Sequence, residues 1–98
     1  MNRDRKKLID RLVEENSSCV VDNGVEVRSF YGRGVSDLYR LLTEEPEFLT
    51  GAFIADKVVG RGAATLMILG GVSAVFARVI STPALEFFRT YGIEVEYA

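Results

Sequence analysis

Residues 49–80 read LTGAFIADKVVGRGAATLMILGGVSAVFARVI, and this stretch decides the fold. It opens with a short apolar run that shows little alternation, which predicts a strand over 49–55 covered on both faces. The following residues predict a helix over 56–69 that stops at Gly70-Gly71, and VSAVFARVI predicts a second strand over 72–80. A strand, a helix and a strand in succession indicate a right-handed crossover with parallel pairing.

The sequence before this stretch predicts a helix, a hairpin and a second helix. Apolar residues recur on one helical stripe over 4–15, so the N-terminal segment 1–16 is predicted to be an amphipathic helix. Asn23-Gly24 is typical of a type I′ turn, and a two-residue turn would pair Val20 with Val27 and Cys19 with Arg28.

After the hairpin, Gly32 and Gly34 are predicted to end the second strand, and Pro46 the second helix. Near the C-terminus, Thr82 is predicted to be a helix N-cap. Pro83 suits the first helical position, because an amide there would have no partner within the helix. IEVEY then alternates as a last strand. The order α-β-β-α-β-α-β-α-β predicts a single α/β domain over 1–98 with a mixed five-stranded sheet.

The central helix, as predicted over 56–69, is apolar around most of its circumference. Lys57, Arg61 and Thr65 form its narrow polar stripe. Gly60 and Gly62 would each cost about 1 kcal/mol in a helix interior, a cost that close packing of the backbone could offset. A chain of 98 residues has few layers to bury such a helix, so we expect a homo-oligomer.

Composition limits the partners. The chain is 48% apolar and 27% charged, with a net charge of −2, so a polyanion partner such as nucleic acid is not expected. Arg3, Arg5, Lys6 and Lys7 are interpreted as the solvated face of the first helix, since acidic residues interrupt them. The uncharged run between Arg61 and Arg78 is shorter than the roughly 20 residues of a membrane helix.

Several chemistries lack the residues they require. The chain has no histidine and one cysteine, Cys19, so Ser-His-Asp catalysis and the usual zinc sites cannot be built, and no cofactor is expected. With no apolar export signal and no partner for a disulfide, we expect a cytoplasmic protein. Gly60-Arg61-Gly62 resembles the start of a dinucleotide fingerprint, but Thr65 replaces the third glycine and the run is predicted to lie inside a helix.

Two segments, ADKVVG at 55–60 and ISTPAL at 80–85, resemble a small uncharacterised prokaryotic domain-of-unknown-function family grouped with the cytidine-deaminase-like fold. The resemblance extends over about residues 17–97. It implies a three-layer α/β/α sandwich with a mixed sheet. The hairpin and the element order predicted from the residues agree with that fold.

The resemblance also locates the metal positions of zinc deaminases. Their H-x-E pattern would fall on 54–56, and their P-C-x-x-C pattern on 83–87. Ile54, Ala84 and Phe87 would stand where the three ligands are needed. The resemblance therefore implies a scaffold without a metal site.

Asp56 has two interpretations. At the start of the predicted helix it would be stabilised by the helix dipole, by about 0.3–1 kcal/mol. Alternatively, Asp56, Lys57 and Arg61 would bind a small anionic ligand at the carboxyl ends of parallel strands, together with Ser81 and Thr82 at the next junction. Lys57 opposes the dipole, which favours pairing with Asp56 or with a neighbouring subunit.

Cys19 is predicted to be a small buried packing residue, although Arg28 across the hairpin could lower the pKa of its thiol. Three functions stay open. The first is a non-catalytic deaminase-like scaffold that binds a partner protein or a nucleotide-like ligand. The second is a zinc-independent enzyme with Asp56 as acid or base, and the third is a purely structural oligomer subunit.

Overall fold

A computed structural model describes residues 5–32 and 35–98. The predictions made for Arg3, for residue 4 and for Gly34 lie outside these ranges. The elements in chain order are α1 (Arg5–Glu14), β1 (Cys19–Asp22), β2 (Val27–Phe30), α2 (Ser36–Glu44), α3 (Pro46–Leu49), β3 (Phe53–Val59), α4 (Arg61–Leu69), β4 (Ala74–Ile80), α5 (Thr82–Thr90) and β5 (Glu94–Tyr97). The predicted order is confirmed, and the short α3 is an addition to it.

The five strands form one mixed sheet in the order β2-β1-β3-β4-β5. β1 pairs antiparallel with β2 and with β3, whereas β3, β4 and β5 run parallel to one another. Both the mixed five-stranded sheet and the parallel pairing of its second half are therefore confirmed. β3 lies at the centre of the sheet, with a neighbour on each side.

The hairpin has a wider loop than predicted. Val20 lies opposite Ser29 and Val21 opposite Arg28, so the predicted two-residue turn is wrong. Asp22 Oδ1 accepts a hydrogen bond from the Gly24 amide at 2.8 Å, and Asn23 Oδ1 accepts from Glu26 at 2.8 Å. These side-chain acceptors stabilise a four-residue loop over 23–26, in which Asn23 lacks the positive φ that a type I′ turn needs.

The predicted boundary between the central strand and its helix is also wrong. The strand continues through Val59, and the helix begins at Arg61. Asp56 lies opposite Cys19 on β1 and Ala77 on β4, so its backbone belongs to the sheet on both sides. The two valines that follow are β-branched and suit this extension of the strand.

Two apolar clusters cover the two faces of the sheet, because successive residues of a strand point to opposite sides. On one face, Leu8 and Leu12 of α1 pack with Val20, Phe53 and Ala55. The other face carries the larger cluster, to which α2, α3, α4 and α5 contribute Leu41, Leu49, Met67, Phe88 and others. Helices therefore cover both faces of the sheet.

The central helix is not buried all round. α4 buries Ala63, Ala64 and Met67, while Leu69 is 66% exposed. The helix therefore presents one buried face, and it gives no reason to expect a second subunit. In the described part of the chain, no helix has the length and apolarity needed to cross a membrane.

The close backbone approach in this helix occurs at its end. A Cβ at Gly70 would lie 2.7 Å from Leu49 Cδ1. At Gly60 it would meet no atom within 4 Å, and at Gly62 it would meet Val35 Cγ1 at 3.9 Å, so the close packing predicted for these two glycines is wrong. The predicted helix end is confirmed, since Gly70 is the C-cap and Gly71 has a φ of +79°.

Candidate functional site

A cavity of about 500 Å³ opens where β3 ends and α4 begins. Its walls come from the last residues of β3, the first residues of α4, and two segments that precede β1 and α2. The lining residues are Ser18, Val35, Asp56, Lys57, Val58, Gly60, Gly62 and Ala63. This position corresponds to the carboxyl end of a central strand, where open α/β sheets bind ligands.

Asp56 is the buried acid of this cavity. Asp56 is 9% exposed, and its Oδ1 accepts a hydrogen bond from the Val58 amide at 3.3 Å. Burial raises the pKa of Asp56 to about 7, although hydrogen bonds from the backbone of Val58 and Lys57 partly oppose the shift. A carboxyl group with such a pKa exchanges its proton near neutral pH.

The predicted capping role of Asp56 is wrong, because the residue lies inside a strand and not at a helix start. The predicted ion pair between Asp56 and Lys57 is wrong as well. Neighbouring residues of a strand point to opposite faces, and Lys57 Nζ donates a hydrogen bond to Asn16 Oδ1. Lys57 thus connects β3 to the residues that follow α1.

The turn Gly60-Arg61-Gly62 opens α4 at the edge of the cavity. Gly60 is the N-cap, with φ −99° and ψ −175°, and it has no side chain to cap the helix. Within the described residues, the amides of Arg61, Gly62 and Ala63 donate no hydrogen bond. The run therefore lies at a strand-helix turn. The prediction that it lies inside a helix, which counted against its resemblance to a dinucleotide fingerprint, is wrong.

A second helix start lies beside the same cavity. Val35 is the N-cap of α2 and provides no side-chain hydrogen bond. A Cβ added at Gly62 would lie 3.9 Å from Val35 Cγ1, so the first turns of α2 and α4 approach each other. Asp37, in the first turn of α2, accepts a hydrogen bond from the Gly32 amide and forms an ion pair with Arg40.

The other predicted ligand residues do not line this cavity. Arg61 is exposed at the start of α4. Ser81 is the N-cap of α5, and its Oγ accepts a hydrogen bond from the Ala84 amide at 3.2 Å, which corrects the assignment of that cap to Thr82. Thr82 is exposed in the first turn of α5. Of the five predicted residues, the structure brings Asp56 and Lys57 together at the cavity.

Cys19 lies behind the cavity, opposite Asp56. Burial raises the pKa of the Cys19 thiol, and the negative charges of Asp56 and Asp37 raise it further. Arg28 lies opposite Val21 instead, and its guanidinium stacks 4.0 Å from the ring centre of Phe48. The predicted packing role of Cys19 agrees with this environment, and the alternative of a thiol activated by Arg28 is wrong.

The family model described as TM1506, Domain of unknown function (DUF1893), matches residues 7–98. The chain belongs to the DUF1893 family. Its structure is similar to the crystal structure of a DUF1893 family protein (TM1506) from Thermotoga maritima at 2.70 Å resolution, with a TM-score of 0.83 and 24% sequence identity. The similarity covers 95% of this chain, which spans 63% of that one. A search of curated proteins found no match.

In this DUF1893 chain, the positions assigned to deaminase ligands are apolar. Ile54 and Ala84 are fully buried, and Phe87 packs against the same core. Ile54 lies in the middle of a strand, so the predicted alignment of H-x-E with a helix start at 54–56 is wrong. Within residues 5–32 and 35–98, no three His, Cys, Asp or Glu side chains are grouped as a metal site would require.

Several lining residues of this DUF1893 cavity were not predicted from the sequence, namely Ser18, Val35, Val58 and Ala63, and Gly60 and Gly62 were predicted to serve packing. A usable signal was present in the run V-V-G-R-G-A. Two β-branched residues followed by glycine are typical of a strand that ends, and two glycines around one residue allow the backbone to approach a ligand. Ser18 and Val35 gave no such signal, because the fold brings them to the cavity from distant parts of the chain.

Proposed function

We propose that this chain is a non-catalytic scaffold that binds a small anionic, nucleotide-like ligand in the cavity between β3 and α4. One observation carries the proposal. Gly60 and Gly62 of the uncapped helix start line the same cavity as the buried carboxyl of Asp56. The proposal extends the sequence-based site by the glycine turn, and it retains Asp56 and Lys57 from it.

The electrostatics of the turn favour an anion. The first amides of a helix have no partner in the helix, and the helix dipole adds a positive partial charge at the same end. Gly60 cannot cap these amides, and Gly62 leaves their approach free of a side chain. A phosphate group is the common ligand of such a turn.

The size and position of the cavity agree with a small organic ligand. Its volume of about 500 Å³ is within the range of small-molecule sites, roughly 300–1,000 Å³. Val35, Val58 and Ala63 provide apolar contacts, while Asp56 and the open amides provide the polar ones. A ligand with a phosphate at one end and a ring or chain at the other would use both kinds of wall.

We infer that the scaffold is a deaminase-like sandwich without a metal site. A mixed sheet with helices on both faces supports the three-layer, cytidine-deaminase-like sandwich. The positions that the resemblance assigns to zinc ligands hold Ile54 on β3 and Ala84 and Phe87 on α5, none of which can ligate zinc through a side chain. These residues favour binding over deamination.

Self-association and a cytoplasmic location are further parts of the proposal. Binding of a partner protein also stays open. α4 buries one face, so it does not require a second subunit to cover it. Light scattering at high protein concentration would test self-association, and a monomer would contradict it.

The ligand proposal can be tested by thermal shift. Nucleoside monophosphates and sugar phosphates are compared with the corresponding nucleosides and sugars. A ligand present at a hundred times its Kd should stabilise the fold by about 2.7 kcal/mol, or raise Tm by roughly 10 °C. Absence of any shift with the phosphorylated compounds would contradict the proposal.

Two variants at one position locate the site. Gly62→Asp places a negative charge beside the open amides, which should weaken binding of a phosphate while suiting the helix dipole. Gly62→Ala adds the same Cβ without the charge, in a space where Val35 Cγ1 is 3.9 Å away. We expect binding to survive in the alanine variant and to be lost in the aspartate variant, with both folded.

A second candidate function is acid-base catalysis by Asp56 without zinc. The pKa of about 7 favours it, because the group can donate or accept a proton at neutral pH. Any ligand found by thermal shift is incubated with the protein and followed by mass spectrometry. Turnover by the wild type that is lost in Asp56→Asn, with binding retained, would support catalysis. A ligand that never changes supports the scaffold.

A further inference from the structure

In the part of the chain that the structure describes, no cation pairs with the carboxyl group of Asp56. No ion pair to Asp56 is present among residues 5–32 and 35–98, and Lys57 Nζ is bound to Asn16. The amide of Val58 donates to Oδ1, and a hydrogen bond from the backbone of Lys57 also reaches the carboxyl group. Since Asp56 is 9% exposed and lines the cavity, its carboxyl group faces the space where a ligand would lie.

Asp56 and the residues of the open amides, Gly62 and Ala63, line one cavity. Asp56 and Gly60 are four positions apart along an extended strand, so their Cα atoms are at most about 13 Å apart. A small molecule can therefore contact both ends of the cavity. A buried carboxylate with no described cation beside it and a bound phosphate would repel each other, unless the ligand also supplies a positive group.

Resting on the proposed function, we propose that the ligand is a phosphate ester that also carries a protonated amine. The phosphate binds the amides of Gly62 and Ala63 at the start of α4, and the ammonium group donates a hydrogen bond to the carboxyl group of Asp56. The ligand thus brings a cation that none of the described residues places beside Asp56. The phosphate offsets the positive partial charge at the start of α4, and the ammonium group offsets the negative charge of Asp56.

The test uses synthetic probes of defined length. A series of ω-aminoalkyl phosphates with two to six carbons is titrated calorimetrically into the wild-type chain, and each is matched by the alkyl phosphate of the same length. At the best length, the amine should tighten binding about tenfold or more, as expected for a charge-assisted hydrogen bond in a buried site. Inorganic phosphate serves as the probe of the anion end by itself.

Asp56→Asn separates the two ends. This variant keeps the size of the side chain and removes its charge, and its thermal unfolding checks the fold. We expect it to bind the alkyl phosphates at least as well as the wild type and to lose the preference for the amine. The comparison of matched probes in the wild type requires no variant, so it remains decisive if Asp56→Asn is unstable.

The outcomes are distinct. Equal affinity of amino and alkyl phosphates for the wild type would overturn the inference and leave the proposed anion site standing. A preference for the amine that persists in Asp56→Asn would overturn the role of Asp56. If inorganic phosphate and all probes fail to bind at millimolar concentration, both the inference and the proposed function fall.

Discussion

Cys19 and Asp56 lie directly opposite each other in the antiparallel pairing of β1 with β3. A buried thiol and a buried carboxyl group are thus cross-strand neighbours at the back of the cavity. Burial makes the ionised form of both groups less favourable, and the negative charge of Asp56 disfavours the thiolate of Cys19 further. The reactivity of the thiol and the pH dependence of stability both follow from this environment.

The thiol of Cys19 should be inert in the folded protein. Its pKa is raised by burial and by Asp56, so the thiolate that attacks alkylating reagents is scarce at pH 8. We expect labelling by iodoacetamide, followed by mass spectrometry, to be at least about a hundredfold slower in native buffer than in 6 M urea. The chain has one cysteine, so the signal is unambiguous. Rapid native labelling would show that β1 is exposed.

The stability of the fold should decrease as pH rises from 5 to 8. The pKa of Asp56 is about 7 in the folded chain against an ordinary value of 3.8, so between these values the folded state binds more protons than the unfolded state. Stability is therefore highest at low pH within this range and is lost as pH rises through the folded pKa. The folded pKa lies about two pH units above the lower end of this range, so we expect a loss of about 2–3 kcal/mol between pH 5 and pH 8.

Urea denaturation at pH 5 and pH 8 measures this change in the free energy of unfolding. Asp56→Asn should remove most of it and be the more stable protein at pH 8. Glu15 and Glu26 have lowered pKa values, so they titrate below this range and leave the comparison clear. A wild-type protein that is more stable at pH 8 than at pH 5 would contradict the burial of Asp56.

Gly70→Ala should destabilise the fold more than Gly60→Ala. A Cβ at Gly70 would be 2.7 Å from Leu49 Cδ1 and 2.9 Å from Leu49 Cβ, so the end of α4 would have to move away from α3. We expect a cost of about 1–3 kcal/mol for Gly70→Ala, and less than about 1 kcal/mol for Gly60→Ala, where the added atom meets open space. Thermal unfolding of the two variants measures these costs. Equal destabilisation by both substitutions would contradict the close packing of Gly70 against Leu49.

Ser81→Ala should weaken the fold without affecting ligand binding. Ser81 Oγ accepts the hydrogen bond of the Ala84 amide, and loss of such a cap costs about 1 kcal/mol. Thr82→Ala is the matched control, because Thr82 is exposed and makes no capping bond in the described structure. A large loss of binding in Ser81→Ala would show that the cavity extends to α5.

Local signals predicted the second half of the chain well. Gly70-Gly71 marked the end of α4, and the alternation of strands and helices around it predicted the parallel order of β3, β4 and β5. These predictions hold because the chain conformations at glycine and the handedness of crossovers depend on nearby residues.

Other predictions failed where a neighbour in space competes with a local preference. FIADKVVG contains two charges and was assigned in part to a helix, yet pairing with β1 and β4 keeps it extended through Val59. Asn23-Gly24 favours a tight turn, but the acceptors of Asp22 and Asn23 stabilise a wider loop. The spacing of residues in the sequence gives no information about which strands pair with β3 or which side chains accept hydrogen bonds in the loop.

By itself, the sequence determined the element order, the mixed α/β class, and the absence of imidazole and of a second thiol. The tertiary structure decided which residues meet at the cavity. Ser18, Val35, Asp56 and Gly62 are far apart along the chain and come together because the sheet order β2-β1-β3 and the packing of α2 on α4 place them there. The high pKa of Asp56 has the same origin, since desolvation depends on what surrounds a group in space and not on its neighbours in sequence.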